Sequence, residues 1–450
     1  MSRYVKINRG LNIKLAGEAD KSLSNQLHSE TYAVSPADFS GLSPKLLVKE
    51  GDEVLAGSPL LYDKNNESIK FGSPVSGEII GVVRGDKRKV LEVRILADRE
   101  IRYLDHGIFK PNDLSRDAVI DHLLKSGVWP FIRQRPFGII ADPQTVPKSI
   151  FISAFDTNPL APDIEFVLKG KESLFQSGLD VLQKLTDGKV HVNVHTELNS
   201  SFFSDFKGVE LNTISGPHPS GNVGVQIHHI DPLNKGEHIW TVNAQDVIVI
   251  GNLFKHGTYD ARKIITLAGS QVHKPGYYQV TGGCSIKNLL NDAGVKDGNN
   301  RIISGSVLSG GRIAPEGFLG FYDSQITVIP EGNHPEFLGW LSPGFDKFSV
   351  SRTFFSWLSP TKKHELNTNL HGEERPFVVT GQYEKVFPMD IYPVQLLKSI
   401  LIEDIEQMEK LGIYEVVEED FALCEFVCTS KIKAQEIVRR GINLIQSEFS

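Results

Sequence analysis

Two short stretches, Val48-Lys49-Glu50-Gly51-Asp52-Glu53-Val54 and Ser73-Pro74-Val75-Ser76-Gly77-Glu78-Ile79, decide how the N-terminal part of this 450-residue chain folds. In both, branched apolar residues recur between charged or small residues, and glycines mark turns. The recurring apolar positions supply one buried face. Residues 42 to about 100 are therefore predicted to form short strands joined by tight turns.

The two stretches carry the patterns V-x-x-G-D-x-V-x-x-G and P-x-x-G-x-I, and they resemble the barrel-sandwich fold of lipoyl and biotinyl domains. Those domains carry a modified lysine at a hairpin tip, about eight residues before the proline of the second pattern. Here that position is near Asn66, with Lys64 and Lys70 on either side. We interpret the unit as a structural barrel. A carrier of lipoate or biotin on Lys64 or Lys70 is the alternative.

Composition excludes several classes of protein. Apolar residues make up 40% and charged residues 23%, as in an ordered globular chain of two to four domains. A net charge of −7 argues against a nucleic-acid binder. Three cysteines cannot form a disulfide framework, no run of about 18 apolar residues exists, and Met1–Ile7 lacks a signal-peptide core. We expect a cytoplasmic chain without its own membrane span.

Beyond residue 112 the hydrophobic period becomes helical. Ser115 can cap a helix that Gly127 ends, and the apolar strand Ser149–Phe155 follows. A further helix precedes alternating valines at 190–194. Strands that alternate with helices predict an α/β unit with a largely parallel sheet.

Two more units follow. Pro275–Val280 reads as a turn and a strand, and Gly282-Gly283 and a short apolar helix ending at Gly294 come next. This order resembles the soluble-ligand-binding β-grasp (SLBB) module. From about residue 390, Leu396, Ile400 and their neighbours share a helical face.

The predicted fold class is multidomain α/β plus β, with four folded units and one connection. The predicted units are an N-terminal arm and lipoyl-like barrel-sandwich (1–110), a Rossmann-like α/β domain (111–260), an SLBB β-grasp domain (261–330), a connecting β-rich segment (331–389) and a C-terminal helical domain (390–450).

Motifs with a known chemistry are absent from the sequence. It contains no G-x-x-x-x-G-K-[ST], H-E-x-x-H, G-x-S-x-G or G-x-G-x-x-G after a strand. Bulky and proline residues occupy Gly127–Phe137, where a flavin-binding loop needs glycines. No catalytic residue and no metal site is predicted, because the histidine spacings match no standard zinc pattern. The Cys424/Cys428 pair has too few thiolates for a cluster.

The same stretch nevertheless suggests a ligand. Trp129, Phe131 and Phe137 interleave with Arg133 and Arg135. A quinone headgroup needs apolar walls and a few donors for its carbonyl groups, and guanidinium groups are such donors. We predict quinone contact here. The alternative is a surface loop with solvated arginines and aromatic side chains in the core.

A second candidate lies at the end of a predicted parallel strand. Asp156 and Asn158 follow the strand Ser149–Phe155 at the edge where α/β sheets bind ligands. An Asx turn is the competing interpretation. His218 lies in Ser215–Asn222, which is predicted to be a rigid loop that shapes the surface or meets a partner protein.

The series of units resembles one family over essentially the whole chain: the A subunits of bacterial sodium-translocating NADH:quinone oxidoreductases. Related proteins are the C subunit of the Rnf complex and the flavin-binding subunit of respiratory complex I. Seven short stretches carry the resemblance. They are Ile7–Asn12, Arg133–Phe137, Asp156–Ala161, Gly216–Pro219, Ile230–Pro232, Leu267–Gly269 and Ala422–Cys428.

The resemblance implies a peripheral subunit on the cytoplasmic side of a six-subunit bacterial inner-membrane complex. FMN, FAD, riboflavin and iron–sulfur centres are then expected on partner subunits, with quinone as substrate and no cofactor held tightly by this chain. Membrane association is expected through partner subunits. The alternatives are a pure assembly module without a small-molecule site, a lipoyl- or biotin-type carrier, and a cytoplasmic flavoprotein.

Overall fold

The computed structural model describes residues 3–24, 27–197, 200–333 and 336–448. The strands in these ranges are β1 (Tyr4–Lys6), β2 (Asp20–Ser24), β3 (Thr31–Val34), β4 (Pro44–Leu46), β5 (Glu53–Val54), β6 (Pro59–Asp63), β7 (Asn66–Gly72), β8 (Gly77–Arg84), β9 (Val90–Ala97), β10 (Arg133–Arg135), β11 (Ile139–Ile140), β12 (Ser149–Ser153), β13 (Lys189–His195), β14 (Glu210–Ser215), β15 (Ile239–Thr241), β16 (Arg262–Ala268), β17 (Gly276–Thr281), β18 (Asn300–Ser304), β19 (Gly311–Ile313) and β20 (Gln325–Pro330). The α-helices are α1 (Arg116–Lys125), α2 (Ile164–Leu168), α3 (Glu172–Gln183), α4 (Ser200–Ser204), α5 (Val223–Ile230), α6 (Ala244–His256), α7 (Lys287–Ala293), α8 (Tyr383–Val386), α9 (Pro393–Leu401), α10 (Ile405–Lys410), α11 (Ala422–Val427) and α12 (Ala434–Glu448).

The two N-terminal motifs build a barrel-sandwich, as predicted. Strands β3-β9-β8-β5 form one sheet and β4-β6-β7 the other. Leu60, Val75 and Ile79 are fully buried between them. Gly77 is required by close packing, because a Cβ at this position would lie 1.9 Å from the carbonyl oxygen of Leu96. The glycine of the second motif therefore lets β8 pair closely with β9.

The α/β unit is a seven-stranded sheet in the order β1-β14-β13-β12-β15-β10-β11. Its first five strands are parallel, and β10 and β11 add an antiparallel edge. Ser115 Oγ accepts a hydrogen bond from the Ala118 amide at 3.3 Å, so the predicted cap of α1 is confirmed. Helix α6 is buried from Ala244 to Phe254, and Gln245, Asp246 and Asn252 are polar residues within this buried stretch.

The β-grasp unit is a six-stranded sheet in the order β19-β18-β20-β16-β17-β2, with α7 after β17. Strand β2 belongs to the N-terminal arm and pairs parallel to β17, while β1 pairs parallel to β14. The arm therefore completes two other sheets instead of joining the barrel. The predicted domain boundaries stay predictions.

The connection between residues 331 and 389 is not β-rich, contrary to the sequence-based expectation. In its described residues, the β pairing is the isolated bridge between Leu15 and His364. The rest is irregular chain with 3-10 helices at Gly339–Leu341 and Phe355–Leu358 and the short helix α8. Pro343 and Pro360 follow the two 3-10 helices closely and lack the N–H that a strand ladder needs.

The C-terminal residues form the predicted helical unit, α9 to α12, around a second hydrophobic core. Its helices share this core with the N-terminal arm and with one face of the α/β sheet. Leu396, Phe421 and Ile445 are fully buried there, together with Phe151 of β12 and Ile214 of β14. The C-terminal helices therefore pack directly on the sheet.

Candidate functional site

The first residues of the stretch 129–137 are buried. The 3-10 helix Trp129–Phe131 leads into β10, which lies between β15 and β11 in the sheet. Trp129 is fully buried, donates its indole N–H to the Ala141 carbonyl oxygen at 2.7 Å, and meets Trp240 edge-on at a centroid distance of 5.4 Å. Its side chain is part of the core.

Phe131 and Arg133 reach the junction of the barrel, the α/β unit and the β-grasp unit. The Phe131 ring stacks on Phe321 at 4.6 Å between centroids. The Arg133 guanidinium lies 4.7 Å from the centroid of Tyr322 and donates to Asn243 Oδ1 at 3.2 Å. These two predicted quinone residues therefore lie where three units meet.

Arg135 and Phe137 face the C-terminal helices instead. Arg135 is 4% exposed and forms ion pairs with Glu419 at 2.8 Å and with Asp420 at 3.1 Å. Phe137 packs against Tyr414 with 6.3 Å between the ring centroids. The five residues predicted to contact quinone thus separate into a core residue, a pair at the junction and a pair under the C-terminal unit.

A small cavity occupies the junction. Phe131 and Tyr259 from the α/β unit line it, as do Asp38 from the barrel and Lys263 and Phe321 from the β-grasp unit. The cavity has a volume of about 30 Å³, which is room for about two water molecules. A quinone ring does not fit inside unless the three units move apart.

Three charged side chains line this cavity, those of Asp38, Asp246 and Lys263. Burial raises the pKa of Asp38 and of Asp246 to about 6, and burial lowers the pKa of Lys263. Lys263 Nζ donates to the carbonyl oxygens of Phe321 at 2.8 Å and Asp323 at 2.9 Å. Burial therefore favours the uncharged form of each of these three groups.

Sequence reasoning missed the junction charges, because they come from three distant segments. Asp38 Oδ2 accepts the amide N–H of Phe321 at 2.9 Å, which ties the barrel to the β-grasp unit. Asp246 Oδ2 accepts from Asn243 Nδ2 at 2.9 Å, and Asn243 in turn accepts from Arg133. A charged residue within the apolar pattern of α6 is the signal that could have indicated Asp246.

The second candidate site is the carboxyl edge of the parallel strands. Asp156 Oδ1 accepts from both the backbone and side-chain nitrogens of Asn158, each at 2.8 Å, which is the geometry of an Asx turn. His218 lies beside this turn, with Nδ1 3.1 Å from Thr157 Oγ1. Burial lowers the pKa of His218 to about 4 and raises that of Asp156. The structure therefore brings all three predicted residues together.

The chain itself fills this edge. A Cβ on Gly221 would lie 2.6 Å from the Thr157 amide nitrogen, and a Cβ on Gly10 would lie 2.1 Å from the His218 carbonyl oxygen. Asn222 Nδ2 donates to the Glu419 carbonyl oxygen at 3.3 Å, which brings the C-terminal unit onto the same edge. These glycines allow loops to pack on one another, where nucleotide-binding folds use glycines to admit a phosphate.

Other possible ligand sites are few in the part of the chain that the structure describes. It contains no group of three or more His, Cys, Asp and Glu side chains placed to hold a metal ion. Cys284, Cys424 and Cys428 are buried and unpaired thiols. None of the helices in the described ranges combines the length and the apolar composition that a bilayer crossing requires.

Comparison with known proteins fits the order of these units. Residues 5–98 match the model of the NqrA N-terminal barrel-sandwich hybrid domain, 114–259 the NqrA second alpha/beta domain, and 264–314 the NQRA C-terminal domain, an SLBB domain. The A subunit of the Na(+)-translocating NADH-quinone reductase from Rhodopirellula baltica is 40% identical over 98% of both chains. Its counterpart from Yersinia pestis is 39% identical over 99% of this chain and 100% of its own.

These similarities define the chain as one component of an oxidoreductase complex. It belongs to the NqrA family, the A subunits of Na(+)-translocating NADH-quinone reductases. Among solved structures, a chain of an NAD+-reducing [NiFe]-hydrogenase in the air-oxidized state is similar at a TM-score of 0.38 and 13% identity, over 78% of this chain and 68% of its own. That similarity is too low to support an argument about function.

The buried pair of Arg135 and Asp420 gives a direct test of how the C-terminal unit is held. Arg135→Ala should lower the free energy of unfolding by about 3–5 kcal/mol, because it leaves a buried carboxylate without its partner. The exposed pair of Lys125 and Asp121 supplies the control, since Lys125→Ala should change stability by less than about 1 kcal/mol.

Urea unfolding followed by tryptophan fluorescence measures both variants. The double variant Arg135→Met/Asp420→Leu should recover most of the loss, because it removes both charges from the interior. Equal stability of Arg135→Ala and Lys125→Ala would contradict the assigned role of the pair.

Proposed function

We propose that this chain is a cofactor-free peripheral subunit that contributes to quinone reduction and to assembly of its reductase. The observation that carries the proposal is the filled carboxyl edge of the parallel sheet. Dinucleotides and flavins bind at this edge in doubly wound folds. Here the Asx turn at Asp156, the His218 loop and the C-terminal unit occupy it.

Redox cofactors then belong to the partner subunits. We propose FMN, FAD, riboflavin and iron–sulfur centres there, in a six-subunit complex with this chain on the cytoplasmic side of the inner membrane. In this arrangement the partners deliver the electrons, and this chain contributes side chains around the quinone. Its attachment to the complex is through contacts with those partners.

The three-unit junction is the best-supported place for quinone contact. Of the five predicted quinone residues, Phe131 lines the junction cavity and Arg133 lies beside it on Tyr322. An apolar wall next to a few polar groups is what a quinone headgroup requires. In this proposal the headgroup meets the mouth of the cavity, close to the carboxyl groups of Asp38 and Asp246.

Phe131→Leu tests this proposal with little loss of side-chain volume. The assembled reductase should show a several-fold higher KM for a short-chain quinone, because the aromatic wall of the junction is removed. Oxidation of NADH with an artificial electron acceptor should be unchanged, since that step takes place on a partner subunit. Steady-state kinetics in membranes measures both activities.

Phe175→Leu is the matched control. Phe175 is a fully buried phenylalanine of α3 that packs on Phe206, outside the residues lining the cavity. If both variants raise the KM equally, or if neither does, the junction has no specific role with quinone. The pure assembly module then becomes the better description of the chain.

The position of Lys64 makes the carrier alternative testable. Lys64 lies in the exposed turn between β6 and β7, at the tip of a hairpin, whereas Lys70 lies within β7 and pairs with Tyr62. Of these two lysines, Lys64 has the placement of a carrier lysine. We expect the purified chain to show its unmodified intact mass. An added mass that disappears in Lys64→Arg would contradict the proposal and favour a lipoyl- or biotin-type carrier.

A further inference from the structure

The connecting segment exposes many large apolar side chains between residues 337 and 360, a stretch here called the tryptophan segment. Phe337 is 93% exposed, Trp340 71% and Trp357 48%. Other apolar residues in the segment are also exposed. They are Leu338, Leu341, Phe345, Val350, Phe355 and Leu358.

The segment contains one short sequence twice. Trp340-Leu341-Ser342-Pro343 recurs as Trp357-Leu358-Ser359-Pro360. In both copies the Trp and Leu lie at the end of a 3-10 helix, and their side chains are exposed. The chain thus exposes two identical Trp-Leu pairs, here called the tips of the segment.

The C-terminal unit contacts the middle of the tryptophan segment and leaves the two Trp-Leu tips exposed. Phe348 packs against Phe426 of α11 at 5.8 Å between centroids and against His364 at 5.5 Å. Phe345 and Phe355 contact each other at 5.8 Å, which joins the two halves of the segment. The tips are therefore attached to the C-terminal unit without being buried by it.

The exposed aromatic side chains of the segment add up to a large apolar area. At roughly 200 Å² for each aromatic side chain, the five exposed rings of the segment present about 600 Å² to water. This sum reaches the upper end of the range of about 300–600 Å² for the largest apolar patch on a typical soluble monomer. Such an area indicates a surface that is covered in the working protein.

Charge in the same segment differs from that of the whole chain. Residues 337–360 contain Lys347, Arg352 and one acidic residue, Asp346, and Lys362 and Lys363 follow within three residues, while the chain carries −7 overall. Lys362 and Lys363 form exposed ion pairs with Asp346 and Glu18, and the less exposed Lys347 pairs with Glu336. Exposed pairs of this kind contribute little stability, so anionic groups can compete for these cations.

We propose that the tryptophan segment docks on the lipid–water interface of a bilayer that contains anionic lipids. Tryptophan prefers the headgroup region of membranes, and nearby lysine and arginine are attracted by anionic lipid. The repeat of the same Trp-Leu pair favours a lipid surface over a protein groove. A groove requires side chains of a particular shape at each position, whereas a bilayer interface accepts any side chain of suitable polarity, so the same pair can be used twice. This contact adds to the attachment through partner subunits.

The distribution of tryptophan makes the test direct. Of the four tryptophans in the chain, Trp129 and Trp240 are fully buried, and Trp340 and Trp357 are the exposed pair. Vesicles of phosphatidylcholine with phosphatidylglycerol should shift the emission of the full-length chain to the blue. Brominated lipids in the same vesicles should quench it. Cosedimentation gives the bound fraction.

Trp340→Ser/Trp357→Ser should abolish the shift and weaken binding by about tenfold or more, because it removes both aromatic anchors. Ile402→Ser is the matched control, since Ile402 is 75% exposed but lies outside the segment, and it should bind as the unchanged chain does. Higher salt should weaken binding in part.

Three results would overturn the proposal. The first is the absence of any shift with anionic vesicles, and the second is equal binding by the double variant. In the third, the emission shifts only when detergent-solubilised membrane subunits of the reductase are added, which would assign the segment to a protein partner. None of these readouts uses quinone, so they are independent of the Phe131→Leu test.

Discussion

The buried ion pair of Arg135 with Asp420 is the interaction on which the arrangement of the molecule depends. It joins the antiparallel edge of the α/β sheet to the C-terminal helices, across 285 residues of sequence. Asp420 is fully enclosed, and burial raises its pKa to about 6 although Arg135 opposes that shift. Because the pair fixes the C-terminal unit on the sheet, the edge that could admit a nucleotide is closed by the chain's own residues.

A second group of buried polar side chains lies at the junction of the three units. There the barrel, helix α6 and the β-grasp unit enclose acidic groups and one lysine around a water-sized cavity. Burying charged groups costs free energy, so their presence around a cavity marks the junction as a candidate functional site.

Much of the fold could be predicted because its signals are local. The barrel motifs fix turns and strand pairing within fifty residues, and Ser115 caps its own helix. The junction and the Arg135 pair could not be predicted, since their partners are far apart in sequence. Trp129 and Phe131 are two residues apart, yet one belongs to the core and the other to the cavity wall. The β-rich connection expected at 331–389 is not found in its described residues, where 3-10 helices followed by Pro343 and Pro360 interrupt the chain.

The central claim is that this chain supplies part of a quinone site without a redox cofactor of its own. The most direct test is isothermal titration of the purified full-length chain with a short-chain quinone, after its absorption spectrum has been recorded. We predict a colourless protein that binds quinone saturably at one site with roughly micromolar affinity, about −8 kcal/mol. A bound flavin chromophore, or the absence of saturable binding, would contradict this claim.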